Sequence, residues 1–173
     1  MKFKRFILKS VDSTNNYAIR LIKKKISKPS MIIATQQTKG RGRMGRKWIS
    51  LRGNLFLSFF FQIDKKLSLG KATKKNCSIL KDILKKFVFA PIKIKPPNDI
   101  FINGGKLCGI LQETVFFKKK KFLIIGIGIN LIKSPVLQDY KTSYLSEFTR
   151  KKVGKKTIYN LLAKEFQKKY KLS

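Results

Sequence analysis

Histidine is absent from this 173-residue chain. Its absence excludes Ser-His-Asp and Cys-His catalysis and, with only two cysteines that form no CxxC pair, argues against a zinc site. Those cysteines, Cys77 and Cys108, fit a reducing compartment. No apolar run approaches the roughly 18–20 residues needed to span a bilayer. The basic N-terminus has neither an apolar signal core nor a small-residue cleavage site. The expected location is therefore the cytoplasm, with no membrane partner. Acids are scarce as well: eight Asp and Glu stand against 41 Lys and Arg, for a formal net charge of +33.

Read alone, that charge suggests a polyanion such as nucleic acid. Composition offers a blander cause. The cations are 34 Lys and 7 Arg, in a chain also rich in Ile, Phe and Asn. Codons for those residues are AT-rich, so a genome-wide base bias accounts for the lysines. They lie in short clusters along the whole chain, such as Lys23–Lys25 and Lys118–Lys121, and not in one stripe. DNA binding is therefore expected to be non-specific. Where Lys is the default, each Arg calls for a reason. Three of the seven, Arg41, Arg43 and Arg46, fall within six residues, and Arg52 follows. The guanidinium fork grips phosphate or carboxylate at two points, which an ammonium cannot do.

Hydrophobic residues make up 43%, enough for the core of one domain. Residues 3–8 alternate as a strand, and Asp12-Ser13-Thr14-Asn15 offers N-caps for a helix over 15–24. Met31–Thr35 is a short strand, 36–47 a glycine-rich loop, and Asn54–Ile63 a buried aromatic strand. A helix is predicted over 68–88. Pro91–Lys95 reads as a strand broken by Pro96-Pro97. Ile100–Ile102 and Lys106–Phe117 form a hairpin about Asn103-Gly104. Lys118–Lys121 is a further turn, Phe122–Leu131 a strand, and 157–170 a basic helix. The expected class is α+β, a mixed and largely antiparallel sheet with helices on one face.

Three segments carry chemistry. In residues 36–46, Gly40, Gly42 and Gly45 permit positive φ and close approach, and the arginines bring permanent charge, which suits an anion with several oxygens. The loop lacks the GK[ST] ending of a Walker A motif. A basic surface loop, or a strand-binding segment, is the alternative reading. KPPND at 95–99 precedes KLCGILQE at 106–113, where Lys106 follows a glycine turn and Gly109 sits in mid-strand. In GIGIN at 126–130, Gly126 and Gly128 share one strand face, the floor of a flat pocket or a tight backbone contact.

DSTNN at 12–16, QTKGRGRMGRKW at 37–48, KPPND, KLCGILQE and GIGINL at 126–131 together resemble, in order and rough spacing, the biotin protein ligases. The likeness covers about residues 1–150. It implies a class II synthetase-like biotin–lipoyl ligase catalytic domain spanning 1–173, without an N-terminal helix-turn-helix domain or the usual C-terminal SH3-like domain. It also implies a two-step reaction of a biotin–[acetyl-CoA-carboxylase] ligase: biotin and ATP with Mg2+ give biotinyl-5′-AMP, and biotin then passes to a lysine of a biotin carboxyl carrier protein. Carried over, Ser13, Thr14, Asn15 and Gln37 are biotin contacts, with Gly40, Gly42 and Gly109. Arg41, Arg43 and Lys106 are catalytic, meeting the carboxylate and phosphates. Trp48, Asn98, Asp99 and Asn130 belong with Arg43 to the nucleotide site. No protein metal ligands are implied, and a homodimer through a sheet edge is compatible with it. The chain departs from the family's KWPND at Pro96. A lipoate or octanoate ligase or transferase of the same fold, and a basic nucleic-acid-binding module, are the other readings.

Overall fold

The computed structural model describes residues 3–172. Seven strands form one sheet: β1 (Lys4–Val11), β2 (Ser30–Gln37), β3 (Leu55–Ile63), β4 (Ile92–Lys95), β5 (Asp99–Ile102), β6 (Gly105–Phe117) and β7 (Lys120–Ile129). Their order is β1-β2-β3-β7-β6-β5-β4. Only β1 and β2 run parallel, and α1 (Thr14–Lys23) connects them; the other neighbours are antiparallel. The α+β class and the mixed, largely antiparallel sheet are thus as expected.

The two faces separate by residue parity, as a pleated strand requires. Met31, Ile33, Leu57, Phe59, Phe61, Leu123 and Ile125 point to one side, where α2 (Leu69–Lys85) and α3 (Lys155–Lys169) cover them. Phe59 lies edge-on to Phe3 and Phe166, with centroids 5.0 and 4.9 Å away. Ile32, Phe60, Phe122 and Ile124 point to the other side, under Ala18, Leu21 and Ile22 of α1. Helices therefore lie on both faces, and the expectation of one face is corrected. The central strand β3 is apolar on both sides, LFLSFFF, because it is buried on both, and such a run carries no alternation to show which side a helix takes.

α1 covers only part of its face. Past Phe60 and Ile124, the same side of β3 and β7 presents Ser58, Gly126 and Gly128. Small residues there leave a hollow at the start of α1, and this hollow is where the motifs meet. β6 is arranged to serve it. Its pairing with β5 shifts register between Ile100 and Phe101, so that Phe101 faces Lys106 while Ile100 faces Cys108. Residues three apart normally point to opposite faces of a strand. The irregularity lets Lys106 and Gly109 both reach the hollow.

The turn at Asn103-Gly104 has both residues at positive φ, as a two-residue hairpin demands. The next turn is shorter than expected: β7 already begins at Lys120, leaving Lys118 and Lys119 at φ 46° and 63°. Lysine pays a steric cost in this region that asparagine and glycine largely avoid. Replacing Lys118-Lys119 with Asn-Gly should raise unfolding stability by about 1–2 kcal/mol, measured by urea titration. No gain would show that the turn is not held in this form.

Candidate active site

The hollow is floored by backbone. A Cβ built on Gly128 would lie 2.4 Å from the Trp48 ring, one on Gly109 2.9 Å from it, and one on Gly126 2.3 Å from Asn15 Oδ1. Gly109 and Gly128 pair across β6 and β7, so together they make a flat platform. The expected floor is real, and in this state the indole and the Asn15 carboxamide rest on it. Of the loop glycines only Gly45 has positive φ. Gly40 serves close approach instead, since its Cβ would lie 2.3 Å from the Trp48 carbonyl oxygen.

The N-terminus of α1 forms one wall. Ser13 is the N-cap residue, but its side chain makes no capping bond, although it is nearly fully buried. Gln37, at the end of β2, accepts from the Thr14 N–H (2.9 Å) and hydroxyl (3.1 Å) through Oε1 and donates to Ser50 through Nε2 (3.1 Å). The Ser58 hydroxyl lies 2.6 Å from Asn15 Oδ1 and 2.7 Å from Thr14 Oγ1. Having one hydrogen, it can donate to only one of them at a time. Asn15 donates to Glu113 (2.7 Å) and to the Leu111 carbonyl (3.2 Å). These fixed amides and hydroxyls can read the donors and acceptors of a small polar ring. Behind the wall, Asp12 grips Arg20 at 2.7 Å. The Arg20 hydrogen bonds hold the Asp12 carboxyl well below the usual carboxylate range, against the opposing effect of burial.

Cations form the opposite rim. Arg41 clasps Glu113 with both guanidinium nitrogens, at 2.7 and 3.2 Å, and donates to Asn16 Oδ1 at 2.6 Å. Lys106 pairs with Asp99 at 2.7 Å and lies over the rings of Trp48 and Tyr140. The other Asp99 oxygen, Oδ1, is buried without a partner among the described residues, as is Trp48 Nε1. Asn98 donates to the Ile110 carbonyl and accepts from Arg43 at 3.3 Å. Arg43 therefore stands outside the hollow, at the mouth beside Asn98. Met44 next to it is in the left-handed region and 88% exposed, so the loop tip projects into solvent.

A second cavity, of about 700 Å³, adjoins the first across Trp48 and Lys106. Pro135, Leu137, Asp139, Tyr140 and Thr142 line it, all from a segment without regular structure that holds none of the motifs. Asn130 lines it too, but its amide is engaged within the protein: it donates to the Ser143 carbonyl at 3.2 Å and accepts from Asn54 at 3.4 Å. It braces the wall. Tyr140, Glu113, Asn16 and Ser58 were not singled out as site residues from the sequence. Asn16 closes the DSTNN motif and Glu113 the KLCGILQE motif, which is the only signal the sequence holds for either; Ser58 and Tyr140 carry none.

Residues 7–130 match the biotin/lipoate A/B protein ligase family. The chain is 35% identical over 132 residues to the bifunctional ligase/repressor BirA of Escherichia coli, covering 72% of this chain and 40% of that protein. It is 32% identical over 133 residues to the biotin–[acetyl-CoA-carboxylase] ligase of Paracoccus denitrificans, covering 75% and 55%. Among solved structures, the biotin protein ligase from Aquifex aeolicus in complex with biotin and ATP superposes with a TM-score of 0.81 at 31% identity, over 97% of this chain and 70% of that one. The chain spans about half the length of the relatives it matches.

Trp48 is the single tryptophan, so its emission reports the platform directly. Gly128→Ala should push the ring off the floor and shift the emission to longer wavelength without unfolding the chain. An unchanged spectrum would place the indole elsewhere. The Asp12–Arg20 pair gives a second expectation. A depressed folded-state pKa contributes stability that is present above the unfolded value, near 4, and lost as pH falls below it. Asp12→Asn should therefore flatten the acid limb of stability against pH.

Proposed function

The chain belongs to the biotin/lipoate A/B protein ligase family, and from that premise we propose that it activates biotin as biotinyl-5′-AMP and transfers biotin to a lysine of a biotin carboxyl carrier protein, the acetyl-CoA carboxylase subunit. The observation that carries this reading is the pairing of a side-chain-free floor with cations already held by carboxylates at its edge. A flat bicyclic ring needs such a floor, and a carboxylate with phosphates beside it needs such an edge. Joining two anions requires positive charge and no proton acceptor, because the attacking carboxylate is ionised already. A chain without histidine lacks nothing for this step.

In this reading Ser13, Thr14, Asn15 and Gln37 hold the ring system through their fixed donors and acceptors. Lys106 exchanges Asp99 for the reacting carboxylate and α-phosphate. Arg41 exchanges part of its grip on Glu113 for the same group. Each preorganised contact of this type is worth about 3–4 kcal/mol in the transition state. The nucleotide occupies the cavity beside Trp48, against Tyr140 and the 135–142 segment. The 40–46 loop, carrying Arg43, closes over the adenylate and keeps water from hydrolysing it. Mg2+ arrives with ATP, and the substrate phosphates supply most of its ligands. Residues 1–173 act as one catalytic domain in the cytoplasm, and DNA is bound without sequence preference. Past Gly109 the outer edge of β6 has no β5 partner, which is where a homodimer would pair.

The test is incubation with biotin, MgATP and a carrier domain, following mass addition on the carrier by spectrometry. Lys106→Ala should lower the rate of adenylate formation by roughly 10²–10³. Arg43→Ala should leave the fold intact and either block adenylate formation or release free biotinyl-AMP into solution. A carrier modified with lipoate and not with biotin would overturn the substrate assignment.

A further inference from the structure

A third cavity, of about 310 Å³, adjoins the first two at Lys106. It shares Asn98, Asp99 and Lys106 with the hollow, and Arg46, Asp139, Tyr140 and Lys106 with the cavity beside Trp48. Among the described residues, Lys106 is the one common to all three. Three groups surround the α-phosphorus while an adenylate forms: the attacking carboxylate, the nucleoside and the departing pyrophosphate. The hollow takes the first and the cavity beside Trp48 the second. A displacement at phosphorus holds the attacking and leaving oxygens roughly in line. The leaving group therefore needs room of its own, next to the cation that holds the α-phosphate. At about 30 Å³ for each water-sized group, the third cavity accommodates two phosphates and some water.

The lining suits that charge. Arg43, Arg46, Lys95 and Lys106 line the cavity with Asp99 and Asp139, four cations against two acids, and Asp99 is already paired with Lys106 at 2.7 Å. Arg43 and Arg46 come from the 40–46 loop, whereas Lys95 comes from the sheet. It ends β4 opposite Asp99, and its ammonium lies 4.9 Å from the centroid of the Phe101 ring, which lines the same cavity. The ring attracts the ammonium and keeps it at the wall. Lys95 opens KPPND, yet it lines neither the hollow nor the cavity beside Trp48. We infer that the third cavity receives the pyrophosphate of ATP and that Lys95 is the cation dedicated to it, an inference that rests on the adenylate-forming reading of the hollow. The carboxylate oxygen forms the new bond to the α-phosphorus, and the bond from that phosphorus to the bridging oxygen breaks. The electron pair leaves with the pyrophosphate, toward Lys95 and the loop arginines, and no proton moves. Lys106 stays with the α-phosphate throughout.

Lys95→Met keeps the stem and removes the charge. Pyrophosphate is titrated into the full chain and followed by calorimetry. Lys95→Met should weaken its binding roughly tenfold or more. Lys93→Met is the control: it loses the same charge two residues earlier on β4, at a side chain that does not line this cavity, and should change binding by about twofold at most. Equal losses in the two variants would show that pyrophosphate senses only the overall charge, and the inference would be overturned. The second measurement is biotin-dependent exchange of labelled pyrophosphate into MgATP. There Lys95→Met should raise KM for pyrophosphate by a similar factor, and Lys95→Arg should restore it. Transfer from preformed biotinyl-5′-AMP to the carrier domain involves no pyrophosphate, so its rate in Lys95→Met should match the parent. Equal loss of exchange and transfer would make Lys95 a prop of the whole site and would also overturn the inference. A parent chain that exchanges pyrophosphate with lipoate and not with biotin, and still shows the Lys95→Met effect on KM, would sink the substrate assignment of the hollow while supporting the role of the third cavity.

Discussion

The absence of side chains at Gly109, Gly126 and Gly128 is the constraint on which the rest of this structure depends. A sheet face must be covered, and α1 covers it only where β3 and β7 carry Phe60, Phe122 and Ile124. Where the same face turns to Ser58 and the glycines, no helix follows, and the indole of Trp48 lies in contact with bare backbone. The edge between covered and open sheet is also the N-terminus of α1. The helix start, the end of β2 and the 40–48 loop are thereby brought to one place, although they are separated in sequence.

Much of this is legible in the sequence. The arginine cluster stood out because the chain otherwise uses lysine, and Gly126 and Gly128 announced a floor through their spacing of two. Strands and helices were recognised within a few residues, since their apolar patterns are local. What was not legible depends on contacts between distant segments. The side of the sheet taken by each helix could not be read from β3, because a strand buried on both faces has no alternation. Lys106 and Gly109 are three apart and should point oppositely. They meet only because pairing with β5 slips between Ile100 and Phe101. The 135–142 wall has no periodicity, and its role comes wholly from where its ends are tied, through Asn54, Asn130 and Ser143.

The cysteines show the same division. Their number suggested a reducing compartment, while their behaviour is set by packing. Burial pushes the Cys77 thiol up to about 11, with Asp99 adding to the effect, and burial likewise raises Cys108 well above the ordinary thiol value. Neither is a thiolate near neutral pH, and both act as small apolar groups behind β5 and β6.

Electrostatics completes the picture in a way that net charge conceals. With eight acids against 41 cations, a carboxylate near the hollow faces a field that is positive almost everywhere. The three ion pairs found among the described residues are Asp12–Arg20, Asp99–Lys106 and Glu113–Arg41, and all three surround this one site. Without them, like charges on the rim would splay Arg41 and Lys106 into solvent. Two of the acids, Glu113 and Asp99, fix a cation in place at the edge of the floor. An arriving phosphate or carboxylate meets cations already oriented. The scarcity of acids is what makes this arrangement specific, because elsewhere on the surface the lysines are not held in this way and attract anions without orienting them.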